Sequence, residues 1–143
     1  MEKDAILLQV RDGELVGVGS WVYVWLRQGQ RRPVVYVGST GVPPVVRTWL
    51  HLHDADPGVG RVMARYPGAA REPLDVLAFP IAPPLSRGAV KSALVERLEA
   101  NGLLAADYVG DSADLLTRPG HIGPAVEQIL AQIADHVRSR RPG

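Results

Sequence analysis

WVYVWLRQGQRRPVVYVGST, residues 21–40, decides how this chain folds. Residues 21–26 and 34–37 are rich in Val, Tyr and Trp, side chains that suit a pleated, half-buried surface. Between them RQGQRRP is polar and carries a glycine, the composition of a connecting loop. The two runs read as strands that pair antiparallel. A turn centred on Gly29-Gln30 sets Tyr23 directly across from Tyr36, and opposite residues of an antiparallel pair share a face. A slip of one residue would part the two hydroxyls.

Upstream, residues 5–10 and 14–18 flank Asp12-Gly13, a strong hairpin signal. Downstream, GVPP suits a helix start, because proline tolerates the first turn. A helix over Pro44 to Leu52 puts Arg47 and His51, one turn apart, on one face. GRVMARY suggests a second short helix, and LDVLAFPI (74–81) a third main strand. Ser86 is a natural N-cap for RGAVKSALVERLEA, which Asn101-Gly102 ends. That helix has a bulky stripe at Val90, Leu94 and Leu98. A second stripe of small residues (Ala89, Ser92, Ala93, Ala100) contains one carboxylate, Glu96, with room around it for an ion and its waters; Glu99 lies to the side. Residues 103–123 read as loop. A final amphipathic helix opens at Gly123-Pro124; its apolar stripe (Val126, Ile129, Leu130, Ile133, Val137) folds back on the core or pairs with another copy.

The chain has 143 residues, enough for one domain with one core. Cysteine is absent, which excludes disulfides, thiolate metal sites and a cysteine nucleophile. No apolar run approaches the ~18 residues of a membrane span, and the N-terminus lacks signal-peptide features, so a cytoplasmic location is expected. Net charge is only +1, without the strong basic excess common in nucleic-acid proteins. Nearly all the bases are arginine, which forks onto phosphate where lysine acts as a point charge, although the codon bias of a high-GC genome is the plainer cause of that preference.

The order of these features resembles the GIY-YIG nuclease family. That family is named for two short strand motifs, followed by a helix with an arginine and a later helix with a glutamate. Here the motifs would be Trp21-Val22-Tyr23 and Tyr36-Val37-Gly38, with Ser39-Thr40 as the polar residues after the second. Arg47 and His51 would be the family arginine and the histidine one turn later, and Glu96 the metal ligand. The match spans roughly residues 20–102, with 103–143 as a C-terminal extension. Trp21 replaces the first glycine, and GVPP replaces a more polar linker. The family's later asparagine has no clear counterpart: Asn101 is too close, and Asp107 or Asp111 lies nearer the expected place.

The resemblance implies an α+β fold, a small sheet of about three main strands flanked by helices, with an added N-terminal hairpin. It implies a DNA endonuclease that uses one divalent metal, Mg2+ or Mn2+, held by Glu96. Tyr23 would act as base or proton relay helped by His51, Tyr36 would position water or a phosphate oxygen, and Arg47 would grip the scissile phosphate. Gly38, Ser39 and Thr40 would line the substrate, with backbone amides near Gly38 open to a phosphate. The alternative is a binding module on the same fold with weak or no catalysis. DNA is the expected partner, no membrane is involved, and a second copy or partner protein would supply target specificity. Each residue alone has a plainer reading. Strand tyrosines commonly pack, a lone helical glutamate is commonly a solvated charge, and Trp21, Trp25 and Trp49 are most simply core or rim. His53 is expected exposed, and His121 and His136 outside the core. The tail RSRRPG reads as a frayed terminus.

Overall fold

The computed structural model describes residues 5, 7–16, 19–112 and 122–140. Strands β1 (Val10–Arg11) and β2 (Glu14–Leu15) form the expected hairpin, with Val10 opposite Leu15. Asp12 and Gly13 both have positive φ, 54° and 80°. This is the backbone that a two-residue hairpin turn demands, and glycine adopts it freely. The strands are shorter than the apolar runs around them, and Leu7, Leu8 and Val10 are exposed.

The main sheet has three strands: β3 (Trp21–Arg27) in the centre, β4 (Val34–Thr40) on one side and β5 (Leu74–Pro80) on the other, all antiparallel. Its register differs from the expected one. Tyr23 pairs with Gly38 and Trp25 with Tyr36, and an irregularity follows between Trp25 and Leu26. The ladder is displaced by two residues, an even number, so Tyr23 and Tyr36 keep a common face as diagonal neighbours. Gly38 gives the physical reason. A Cβ there would lie 2.4 Å from the Tyr23 hydroxyl and ring carbon Cζ, so only glycine lets the phenol ring lie across the neighbouring strand.

Alternation then separates two layers. Val22, Val24, Leu26 and Val37 enter a core with α3 (Arg87–Ala100) and α4 (Gly123–Arg140). Tyr23, Trp25 and Tyr36 enter a smaller cluster on the other face with Val62 of α2 (Arg61–Arg65) and Leu52 of α1 (Pro44–His53). Helix α3 starts as expected, with Ser86 Oγ accepting from the Ala89 N–H at 3.3 Å. Val90, Leu94 and Leu98 are fully buried. Burying side chains of this size contributes ~1.5–3 kcal/mol each before entropy costs.

The apolar stripe of α4 folds back on this core: Val126, Ile129, Leu130 and Ile133 are buried and Val137 packs against them. A polar latch holds its far end. Asp75 on β5 accepts from Arg140 Nε at 2.9 Å and Nη2 at 3.0 Å, from Gln28 Nε2 at 2.9 Å, and contacts His136 Nε2 at 2.8 Å. The Arg140 fork, more than the smaller contributions of His136 and Gln28, holds the Asp75 carboxyl well below the usual carboxylate range. His136 is thus part of a latch and not a bare surface residue.

After α3 the chain runs along the outer edge of β4. Val34 N–H donates to Leu103 O (3.1 Å), Ala105 N–H to Val34 O (2.8 Å) and Val109 N–H to Val35 O (2.9 Å). An uncovered edge strand invites pairing with other chains, and this segment covers that edge. Asp107 pairs with Arg27, which also contacts Tyr66 and Glu72. Residues 113–121, with His121, and the last three of the tail lie outside the described residues. Among those described, no helix is long and apolar enough to cross a membrane.

Replacing Gly38 with Ala is expected to destabilise the fold by about 1–3 kcal/mol through overpacking. Urea titration of Gly38→Ala with and without Tyr23→Val checks it: the penalty should shrink once the ring is gone, and equal penalties would refute the role given to the ring.

Candidate functional site

Helix α1 begins with Pro44 at its first turn, as its sequence predicted, and extends to His53. Its inward face carries Arg47 and His51. His51 is completely buried, an unusual place for an imidazole. Its ring lies edge-on to three aromatics of the sheet, with centroids 5.5 Å from Tyr23, 5.7 Å from Trp25 and 5.0 Å from Tyr36. The Tyr23 hydroxyl lies 2.5 Å from His51 Nε2, and the two tyrosine rings stack with centroids 6.2 Å apart. With the imidazole proton on Nδ1, Nε2 accepts from the Tyr23 O–H. Nδ1 itself is buried with no protein partner.

Burial pushes the Tyr23 phenol well above its ordinary range; neighbouring Tyr36 adds to the rise and the Arg47 charge opposes it. Burial also lowers His51 to about 3, and the charges of Arg47, Arg61 and Arg65 push in the same direction. At neutral pH the pair is therefore uncharged, with the proton on the phenol. The Arg47 guanidinium is partly buried and donates from Nη1 to Val59 O at 2.9 Å, which fixes its stem at the site.

The arrangement places the expected residues as follows. Tyr23, Tyr36, Arg47 and His51 come together on one face of the sheet. Gly38 is buried there, but its open side is filled by the Tyr23 ring. Thr40 is buried, and its Oγ1 accepts from the Val42 N–H at 3.1 Å, which shapes the exit from β4. Ser39 pairs with Val22, so alternation sets it on the opposite face. Glu96 is half-buried on α3, the helix that covers that opposite face. The apolar residues of that helix pack on the sheet face opposite the tyrosine cluster, while Lys91 of the same helix reaches Asp111 at the β4 edge, where Arg65 of α2 also lies. Glu99 is exposed. Trp25 is buried, whereas Trp49 is 57% exposed, its ring 4.7 Å from that of exposed His53.

Four further groups join the site without having been singled out from the sequence. Arg61 stands beside the Tyr36 hydroxyl, which raises the guanidinium's proton affinity. Arg65 lies 3.7 Å and Lys91 3.1 Å from Asp111, and Tyr108 donates to the Asp111 carbonyl at 2.9 Å. GRVMARY was legible as a helix. Which of its side chains would face a sheet distant in sequence was not.

Comparison with protein-family models, curated proteins and solved structures gave no match. Among the described residues, no three His, Cys, Asp or Glu side chains group closely enough to hold a metal ion. Magnesium, however, is commonly bound through one or two carboxylates, with water and substrate phosphates completing its shell. With Glu96 as the one carboxylate assigned to it among the described residues, such a site fits only a substrate-completed ion.

The sign of the acid response follows from His51. Between about 3, where the folded residue titrates, and about 6.5, the ordinary value, the unfolded chain holds the extra proton. Stability from the neutral imidazole is complete above about 6.5 and is lost as pH falls toward 3. Thermal melts from about pH 7.5 to 4.5, above most carboxylate titration, should show a steeper fall in Tm for the wild type than for His51→Gln. Parallel slopes would refute the buried-neutral assignment.

Proposed function

We propose that this chain is a metal-assisted DNA endonuclease domain of the GIY-YIG type, with its phosphodiester site at Tyr23, Tyr36, Arg47 and His51. The observation that carries this reading is the 2.5 Å contact between the Tyr23 hydroxyl and His51 Nε2, on which Arg47, Arg61 and Arg65 act electrostatically. A buried phenol–imidazole pair beside guanidinium groups is an economical arrangement for moving one proton next to an anionic ester.

The chemistry runs through the chain's own groups. A scissile phosphate accepts hydrogen bonds from Arg47, whose planar fork matches two phosphate oxygens. Binding of that anion offsets the arginine charges that depress His51, so the imidazole becomes a better base as substrate arrives. The attacking water gives its proton to the Tyr23 oxygen while Tyr23 passes its own to His51 Nε2, leaving an imidazolium and an unchanged phenol. Tyr36, with Arg61 at its hydroxyl, orients the water or a non-bridging oxygen. Arg47 remains in place for the charge that grows on the phosphorane. A divalent ion at Glu96, when bound, supplies Lewis-acid neutralisation of the phosphate and of the departing 3′ oxygen.

One observation favours the second reading, a phosphate-binding module without catalysis. Glu96 sits on the helix across the sheet from the tyrosine pair, and no closed set of metal ligands is present among the described residues. The two readings differ in a plasmid-nicking assay. With Mg2+ or Mn2+ the wild type should nick, Tyr23→Phe should lose about 10²–10⁴-fold as expected for a proton-transfer group, and Arg47→Lys and Glu96→Gln should be strongly impaired. Full activity in Tyr23→Phe would remove Tyr23 from the mechanism. Salt-dependent DNA binding with no cleavage under either metal would establish the module instead.

A further inference from the structure

The covered edge of β4 joins the two layers of the molecule. Along it, Tyr108 packs toward the α3–α4 core and Val109 toward the tyrosine cluster. Just beyond them Asp111 sits between Lys91 of α3 and Arg65 of α2, with N···O separations of 3.1 Å and 3.7 Å. Arg65 is steadied by a second bond, Nη1 to Val109 O at 3.1 Å. Arg61, one turn before Arg65, holds its Nε against Gly58 O at 2.9 Å and stands at Tyr36. Two cations from separate layers, Arg65 and Lys91, thus converge on one carboxylate beside the proposed scissile-phosphate site, with Arg61 one turn away at Tyr36.

We infer that Arg61, Arg65 and Lys91 form a second phosphate subsite, in which Asp111 is the resident counter-charge that a neighbouring phosphodiester of the bound strand displaces. This inference rests on the nuclease reading for the identity of the strand, and it adds a binding site for a phosphate that is not cut. Magnitudes favour displacement. The side chains of Asp111 and Arg65 are 48% and 40% exposed, and exposed ion pairs contribute only about 0–1 kcal/mol. A phosphate brings more acceptor oxygens, and charge-assisted bonds to it are the stronger class. Arg61 and Arg65 are also held by backbone carbonyls, Gly58 O and Val109 O, that survive the exchange, so the two guanidinium groups need little rearrangement. The subsite joins α3 to the tyrosine side of the sheet, because Asp111 bridges Lys91 of α3 and Arg65 of α2.

The test uses the full chain and a fluorescently labelled duplex in EDTA, with plasmid nicking in Mg2+ measured separately. Asp111→Asn, which keeps the shape, and Asp111→Ala should tighten duplex binding by up to about fivefold, the equivalent of one exposed ion pair. Arg65→Ala and Lys91→Ala should weaken binding and flatten its salt dependence by about one charge each. Thermal stabilisation by inorganic phosphate should increase in Asp111→Asn and diminish in Arg65→Ala. Unchanged or weaker binding by both Asp111 variants, with wild-type circular dichroism, would overturn the subsite. Wild-type nicking with no response to Asp111, Arg65 or Lys91 would refute it and leave the nuclease reading standing. Responsive phosphate binding with no nicking would uphold the subsite and refute the nuclease.

Discussion

The contact on which the structure depends is the crossing of the Tyr23 ring over the bare backbone of Gly38. A side chain at that position would collide with the ring, so the residue type and the register select each other. Pairing Tyr23 with Gly38 brings Tyr36 beside it on the diagonal, close enough for the rings to stack at 6.2 Å. Once that pairing holds, alternation assigns every other strand residue to a layer. Valines and Leu26 face α3 and α4, and the aromatics face α1 and α2.

The second consequence is electrostatic. The aromatic layer encloses His51 completely, and burial together with three nearby arginines keeps it uncharged. Tyr23 keeps its proton because a buried phenolate would lose its hydration, an effect that outweighs the opposing charge of Arg47. The result is a neutral hydrogen-bonded pair surrounded by positive charge. Such an environment resists further cations and favours an anion, and a low local dielectric strengthens that preference. In the proposed reaction, a phosphate arriving there would offset the arginine charges and raise the imidazole's basicity.

The third is architectural. The segment after α3 covers the outer edge of β4 and ties it down with three backbone hydrogen bonds and the Asp107–Arg27 pair. Because it passes from one layer to the other, it carries Asp111 to a place where cations from α2 and α3 meet. The same stretch thus protects an edge strand and shapes the surface beside the aromatic pair.

Much of this was readable in the chain. Dense Val, Tyr and Trp runs around a polar loop announce paired strands, Asp12-Gly13 announces its hairpin, and Ser86 and Asn101-Gly102 bound α3 because capping is a local matter. The common face of Arg47 and His51 followed from helical periodicity, and that of Tyr23 and Tyr36 survived because the register moved by an even number of residues. The register did not, because loop composition leaves it open by two residues and only the fit of a ring onto a glycine closes it. Nor did the convergence of Arg65 and Lys91 on Asp111, or the placement of α3 across the sheet from the tyrosines. Local sequence determined which elements form and which way their side chains point. Tertiary packing alone decided which of those faces meet, because side chains far apart in the chain become neighbours only when apolar layers close against one another.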